Sequence, residues 1–297
     1  MTSATLTRGP DTAPAGTPAR RRTAGRRTSG RRFPVAATVL GISLALTLIP
    51  LLYLLSLSFM GRADVAAGHL LPSAPAWGNW EAALTTSGLP RAILNSVIAA
   101  GFGALITLTF ALPAAWAMVR HQTGGKTLTA SILAPWLLPP IVAVIPLFTL
   151  LRILGLNNTL VGLAVVYALA NTGLAVFLLQ GFLKKVPLEI EEAAALDGAG
   201  TLRILFRVVL PLLTPALIAV GVVVAVLNYN EFLLALFLTQ GPDSQTVPVI
   251  LSLLLGDKVQ DFGQLAAASL VGVAPVFAAA VFLQRGLVAG LTSGAVK

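Results

Sequence analysis

Glu191, Glu192 and Asp197 stand close together in EEAAALDGAG, Glu191 to Gly200, within a chain whose charged residues make up only 10% of the total. Clustered carboxylates can ligate a metal, share acid–base work or meet a basic partner. The chain has no cysteine and only two histidines, His69 and His121, isolated in loops, so no metal-ligand or Ser/His/Asp constellation forms and no catalytic residue, metal site or cofactor is expected. Pairing with cations is left. A second polar group, Asn228, Asn230 and Glu231, interrupts an apolar run. A carboxylate at a bilayer centre costs roughly 2.5–3.5 kcal/mol, so Glu231 must face protein or water, line a gate or lie near the end of its helix. These three are candidate pathway residues, but Glu231 has no acidic or histidine partner in another apolar run with which to relay protons. GGKT at Gly124 to Thr127 imitates a phosphate-binding loop. That motif needs a glycine where Arg120 stands and a preceding strand, so it is a tight turn.

The elements that carry these residues must be membrane helices. Of 297 residues, 56% are hydrophobic, and mean hydropathy is +0.87, far from a soluble domain with about a quarter charged residues. Uncharged runs between Arg32 and Arg62, Arg91 and Arg120, Lys126 and Arg152, Arg152 and Lys184, Arg207 and Glu231, and Asp261 and Arg285 can each cross a bilayer. The expectation is an all-α polytopic membrane protein with six spanning helices. The net charge of +9 follows topology rather than a nucleic-acid surface. With the N-terminus inside, the tail arginines, Arg120, Lys126, Lys184, Lys185, Arg203, Arg207, Arg285 and Lys297 share one side, against Arg62, Arg91, Arg152 and Lys258 on the other. Both termini are therefore expected in the cytoplasm.

Residues 1–32 read as a disordered basic tail able to touch anionic lipid, and residues 33–297 as the membrane domain. GRRFPV imitates a twin-arginine export signal, but the apolar run behind it is too long for one. Trp77 and Trp80 suit a membrane interface. The expected spans are Phe33 to Met60, Ala92 to Val119, Leu128 to Leu151 (kinked or broken by Pro135, Pro139, Pro140 and Pro146), Thr159 to Leu183, Leu205 to Leu238 (broken near Pro211 and Pro215) and Gln264 to Leu287. A mainly polar stretch, Thr239 to Gly263, joins the last two.

The 184–207 segment is the largest inward excursion after the tail. Pro187 opens a short helix and Gly198 stops it, with Glu189, Glu191 and Glu192 in the first turn. Ala193, Ala194 and Ala195 keep it narrow. Thr201 can cap a second helix with Leu202, Leu205, Phe206 and Val209 on one face and Arg203 and Arg207 on another. An amphipathic helix on the inner leaflet would carry lysine and arginine on its polar face, so three glutamates favour a protein partner.

Glu192-Ala193-Ala194, three residues, Gly198, nine residues, Val208, one residue and Leu210-Pro211 resemble the EAA loop of membrane permease subunits of bacterial ABC importers, with Val208 in the place of the usual isoleucine. NWEAAL at Asn79, LNS at Leu94, Pro-Leu at Pro146, GLNNTL at Gly155, ALDGAG at Ala195, NEF at Asn230 and GAVK at Gly294 are similar to the sister permease of maltose-type systems. The resemblance covers nearly all of the chain after Arg32 and implies the MetI-like permease architecture in the bacterial cytoplasmic membrane. It implies that Glu191, Glu192, Ala193, Ala194, Asp197, Gly198, Arg203 and Arg207 couple the chain to a cytoplasmic ATPase, with Glu192 paired to a basic residue there. It also implies a homologous second permease, two ATPase copies, an extracytoplasmic solute-binding protein and a sugar cargo. ATP hydrolysis then belongs to the partners and not to this chain. An ABC permease for another solute, or an ion-coupled carrier, are the other readings; the carrier needs paired intramembrane ionisable groups and inverted repeats, which the sequence lacks.

Overall fold

The computed structural model describes residues 32–137, 139–256 and 261–292. The basic tail before Arg32, Lys258 and the terminal GAVK lie outside them. Thirteen α-helices are described: α1 (Arg32–Ser58), α2 (Arg62–Ala66), α3 (Gly78–Thr85), α4 (Leu89–Arg120), α5 (Gly125–Leu137), α6 (Pro140–Ile153), α7 (Leu160–Leu183), α8 (Leu188–Leu196), α9 (Thr201–Ile204), α10 (Leu210–Tyr229), α11 (Leu233–Leu238), α12 (Val247–Gly256) and α13 (Phe262–Thr292). A π turn, Leu205–Val209, links α9 to α10. The chain divides into two units, Met1–Ile49 and Pro50–Lys297. In the first, the residues of α1 whose side chains are described, Ala37 to Ile49, are exposed and mostly apolar.

Among the described residues five helices are long and apolar enough to span: α1, α4, α7, α9 running through the π turn into α10, and α13. The expected third span is instead two shorter helices, α5 and α6. Proline disfavours helical backbone in the residue before it and cannot donate to a preceding turn, and Pro139 sits in an extended conformation at the junction while Pro140 opens α6.

Within the second unit, α4 and α7 form the most extensive helix pair. Small residues make it possible: Ala99, Gly103, Ala104, Ala111 and Ala115 on α4, with Ala164, Ala168 and Ala175 on α7, are buried. In an apolar surround, close backbone approach is how helices gain contact. A side chain at Gly103 would come within 2.9 Å of the Asn228 amide nitrogen and 3.2 Å of the Ala164 carbonyl. α10 packs across the same pair, tied by Asn228, which accepts from Asn171 Nδ2 at 2.8 Å and donates to the Ala100 carbonyl at 3.2 Å.

Two expectations are corrected here. The fifth span is not broken at Pro211 or Pro215; α10 runs through Pro215, and the irregularity before Pro211 is the π turn, whose wider coil accommodates a residue that lacks an N–H. The real break is at Asn230 to Phe232, after which α11 starts afresh. The 239–263 stretch is not mainly polar in structure, for α12 buries Val247, Val249 and Ile250.

Two loops are fixed by side chains. Asn79 Nδ2 donates to the Ser58 and Met60 carbonyls at 3.0 and 2.9 Å, closing the end of α1. Phe59 lies edge-on to Trp77 with ring centroids 5.0 Å apart and tilted against Trp80 at 5.7 Å, so both tryptophans pack on the helix end. Asp64 accepts from the Ser73 hydroxyl at 2.7 Å and the Ser73 amide at 3.2 Å, with His69 Nδ1 also 3.2 Å away.

Gly103→Val overpacks the α4–α7 seam and is expected to destabilise the folded chain by roughly 1–3 kcal/mol, read as a lower thermal midpoint in detergent. The Ser73 hydroxyl and amide hold the Asp64 carboxyl below its ordinary range. A depressed carboxyl stabilises the loop above its unfolded pKa of about 3.9, and that stabilisation is lost as pH falls through the folded value. Hydrogen exchange of the 64–73 loop is thus expected to accelerate in that acid window, and Ser73→Ala to move the window upward.

Candidate functional site

The 184–207 segment begins where α7 ends. Pro187, at φ −57° and ψ 133°, precedes α8 without donating, and Asp197 follows its last residue. Gly198 adopts φ +83°, a left-handed turn that glycine takes without strain. The helix expected between Pro187 and Asp197 is therefore present. Thr201 is not a cap: it is the first residue of α9, Gly200 holds the cap position, and no side-chain cap bond is made there.

Two adjacent glutamates part company. Glu191 is turned into the chain, its side chain 7% exposed. Its Oε1 accepts from Arg120 Nε and its Oε2 from Trp116 Nε1, both at 2.8 Å. Arg120 and Trp116 are four apart on the last turns of α4, so one helix face presents both donors. Arg120, 11% exposed, also donates through Nη2 to the Val186 carbonyl at 2.8 Å and the Leu183 carbonyl at 3.4 Å. Of the residues given a coupling role from the sequence, Glu191 thus faces Arg120 of its own chain rather than the surface. Glu192, one helical step away, is exposed.

Around Glu192 the exposed surface mixes charge with apolar groups. Ala193, Asp197, Gly198, Arg203 and Arg207 are exposed, and Ala194 is half-buried against the apolar cluster beneath. Leu196 is 89% exposed, Leu202 69% and Phe206 58%. Leu202 and Phe206 were expected on one face with Leu205 and Val209. The structure separates them, burying Leu205 and Val209 with Ile204, because the π turn lengthens the repeat beyond the ordinary helical step. Large apolar side chains exposed beside charges are a pattern that protein-contact surfaces share.

The pathway candidates are also separated. Asn228 is buried inside the bundle in the bonds described above. Asn230 is exposed and donates back to the Val226 carbonyl at 2.8 Å. Glu231 accepts from the amides of Leu234 at 2.9 Å and Ala235 at 3.1 Å, capping α11. A carboxylate occupied in this way closes a helix end after a break and needs no second acid. Sequence reasoning missed Trp116 and Arg120; the signal available was an aromatic N–H donor and a guanidinium four residues apart at the end of a span.

Residues 107–292 match the protein family described as binding-protein-dependent transport system inner membrane component. The chain is 36% identical over 228 residues to a Streptomyces antibioticus protein named ABC transporter permease protein ORF1, covering 76% of this chain and 100% of that one. It is 31% identical over 251 residues to the melibiose/raffinose/stachyose import permease protein MelC of Bacillus subtilis, covering 84% and 91%. Among solved structures, a bacterial ABC transporter involved in import of the acidic polysaccharide alginate aligns with a TM-score of 0.70 at 24% identity, covering 85% of this chain and 95% of that chain, a likeness of fold.

Removing Glu191 leaves Arg120 buried without its counter-charge, so Glu191→Ala is expected to cost about 3–5 kcal/mol. Glu192→Ala, on the surface, is expected to stay within about 0.5 kcal/mol. Thermal unfolding of the two purified variants checks the contrast, and equal midpoints would contradict it.

Proposed function

The chain belongs to the family of inner membrane components of binding-protein-dependent transport systems, and from that membership we propose that it is one half of the membrane pathway of an ATP-driven sugar importer. As a member it is a permease subunit of an ABC importer in the inner membrane. The single observation that carries the finer reading is the exposed face of α8 and α9. Leu196, Leu202 and Phe206 lie bare beside Glu192, Arg203 and Arg207, with the base of α8 held from within by Arg120. That face suits a cleft in a cytoplasmic ATPase. Glu192 pairs there with a basic residue, and Ala193 and Ala194 allow a close approach.

In this reading residues 1–32 are a cytoplasmic tail, residues 33–297 the permease domain, and 184–207 its coupling loop, with both termini in the cytoplasm. A homologous permease completes the pathway, two ATPase copies close on ATP, and an extracytoplasmic protein delivers the solute. Closure drags α8, and the bundle alternates between inward and outward access. ATP hydrolysis is assigned to the partners. A sugar or oligosaccharide as cargo is supported by the likeness to a melibiose/raffinose/stachyose import permease and by the short motifs of the carbohydrate branch.

The complex purified with the products of neighbouring genes is expected to contain an ATPase. With its binding protein, ATP hydrolysis should rise on addition of a member of a panel that includes melibiose and raffinose. Stimulation by an amino acid or peptide alone would overturn the cargo. Glu192→Lys is expected to abolish transport while insertion stays normal, since a broken charge pair in a desolvated contact costs about 2–5 kcal/mol.

A further inference from the structure

We propose that Arg120, Trp116 and Glu191 form a clasp through which movement of α8 is delivered to the α4–α7 pair rather than to α10. The inference rests on the reading of α8 as the element that meets the ATPase, and adds how the load leaves it. Three observations carry it.

First, one guanidinium holds three elements at once. Arg120 is the last residue of α4; its Nε meets Glu191 in α8, and its Nη2 meets the carbonyls of Leu183, the end of α7, and Val186, the turn before α8. Trp116 fills the other oxygen of Glu191, so the carboxylate is gripped from two directions. Such charge-assisted bonds are short and directional, and they fix an angle as well as a distance.

Second, the other end of α8 is built to turn. Gly198 stands at φ +83°, Gly200 follows, and a Cβ placed on either would meet no heavy atom within 4 Å. Beyond them α9 runs through the π turn into α10 as one continuous helix, so the glycine turn is the break between α8 and that span. The turn is closed by backbone bonds, Gly198 N–H to the Ala195 carbonyl and Ala199 N–H to the Ala194 carbonyl, both at 3.0 Å, while the Ala194 and Ala199 methyls rest on the apolar cluster below. Apolar methyl contacts can slide, whereas a gripped carboxylate cannot.

Third, the elements on the gripped side are stiff. α4 and α7 are joined along the seam of small residues, so a push at their shared end moves both. The clasp residues are therefore positioning residues: none needs to touch nucleotide or solute.

The test uses the whole complex in lipid nanodiscs and reads distance, so it does not depend on the cargo. The chain has no cysteine, which leaves introduced thiols as its only labels. Spin labels on Glu189→Cys and Phe110→Cys report α8 against α4, and labels on Glu189→Cys and Leu212→Cys report α8 against α10. On adding a non-hydrolysable ATP analogue, the first distance is expected to hold and the second to shift. In Glu191→Gln the first distribution is expected to broaden and shift with nucleotide, while the ATPase stays bound. If that variant does not assemble, Arg120→Lys replaces it, because an ammonium cannot span Glu191 and the Val186 carbonyl as the fork does.

A first distance that moves with nucleotide in the unaltered clasp, or that stays fixed in the variant, overturns the proposal, as does a complex in which neither distance responds. An ATPase missing from the unaltered complex overturns instead the docking reading, and the clasp with it. A merely structural ion pair would lower recovery of the complex without changing which distance follows the nucleotide.

Discussion

Arg120 is held where it is because a buried cation has to be answered, and the 184–207 segment supplies the answer. Its guanidinium is nearly sealed from solvent, and removing a charge from water is several times costlier than any single contact nearby repays. The pairing with Glu191 and the two carbonyls fixes the end of α4, the end of α7 and the start of α8 in one stroke. With Glu191 committed inward, Glu192 is obliged to face out. The exposed surface that carries the proposed function is thus set by a bond that faces the other way.

Neutral polar groups obey the same constraint elsewhere. Asn95 donates to the Gln245 carbonyl at 2.9 Å, Ser96 accepts from the Val247 amide at 2.8 Å, and Asn158 Oδ1 accepts from Gln240 at 2.7 Å. Asn79 closes the end of α1 and Asn228 binds three helices. In an apolar surround each freed carbonyl or amide at a helix end needs a partner, and a short amide side chain reaches two at once. NWEAAL, LNS, GLNNTL and NEF, which carried the resemblance in the sequence, all contain such residues. In the structure those motifs make local ties at helix ends and breaks. Glu231 belongs with them, since its carboxylate serves the start of α11.

What the sequence made legible was whatever depends on neighbours in the chain. The uncharged runs mark the spans, Pro187 and Gly198 bound α8, and prolines 139 and 140 foretell that the third run is divided. What it hid depends on partners far away. Glu191 and Glu192 are equivalent by type and differ only in their rotation about α8, and that rotation is set by Arg120, 71 positions earlier. The face drawn through Leu202, Leu205, Phe206 and Val209 assumed an ordinary repeat, which the π turn breaks. α12 was masked because its apolar ten residues sit between polar ends and are too short to read as a span.

A buried ion pair is a weak source of stability compared with well-packed apolar groups of the same size, so its presence under α8 calls for another reason. Apolar contacts, such as that of the Ala194 methyl on the cluster, tolerate many neighbouring arrangements at similar energy. A carboxylate held by an indole N–H and a guanidinium tolerates one. In the proposed role of α8, a single permitted arrangement at one end and a glycine turn at the other make a lever with a defined arm. The same residues with Leu in place of Glu191 and Arg120 could pack as tightly, yet would leave the direction of the arm to chance.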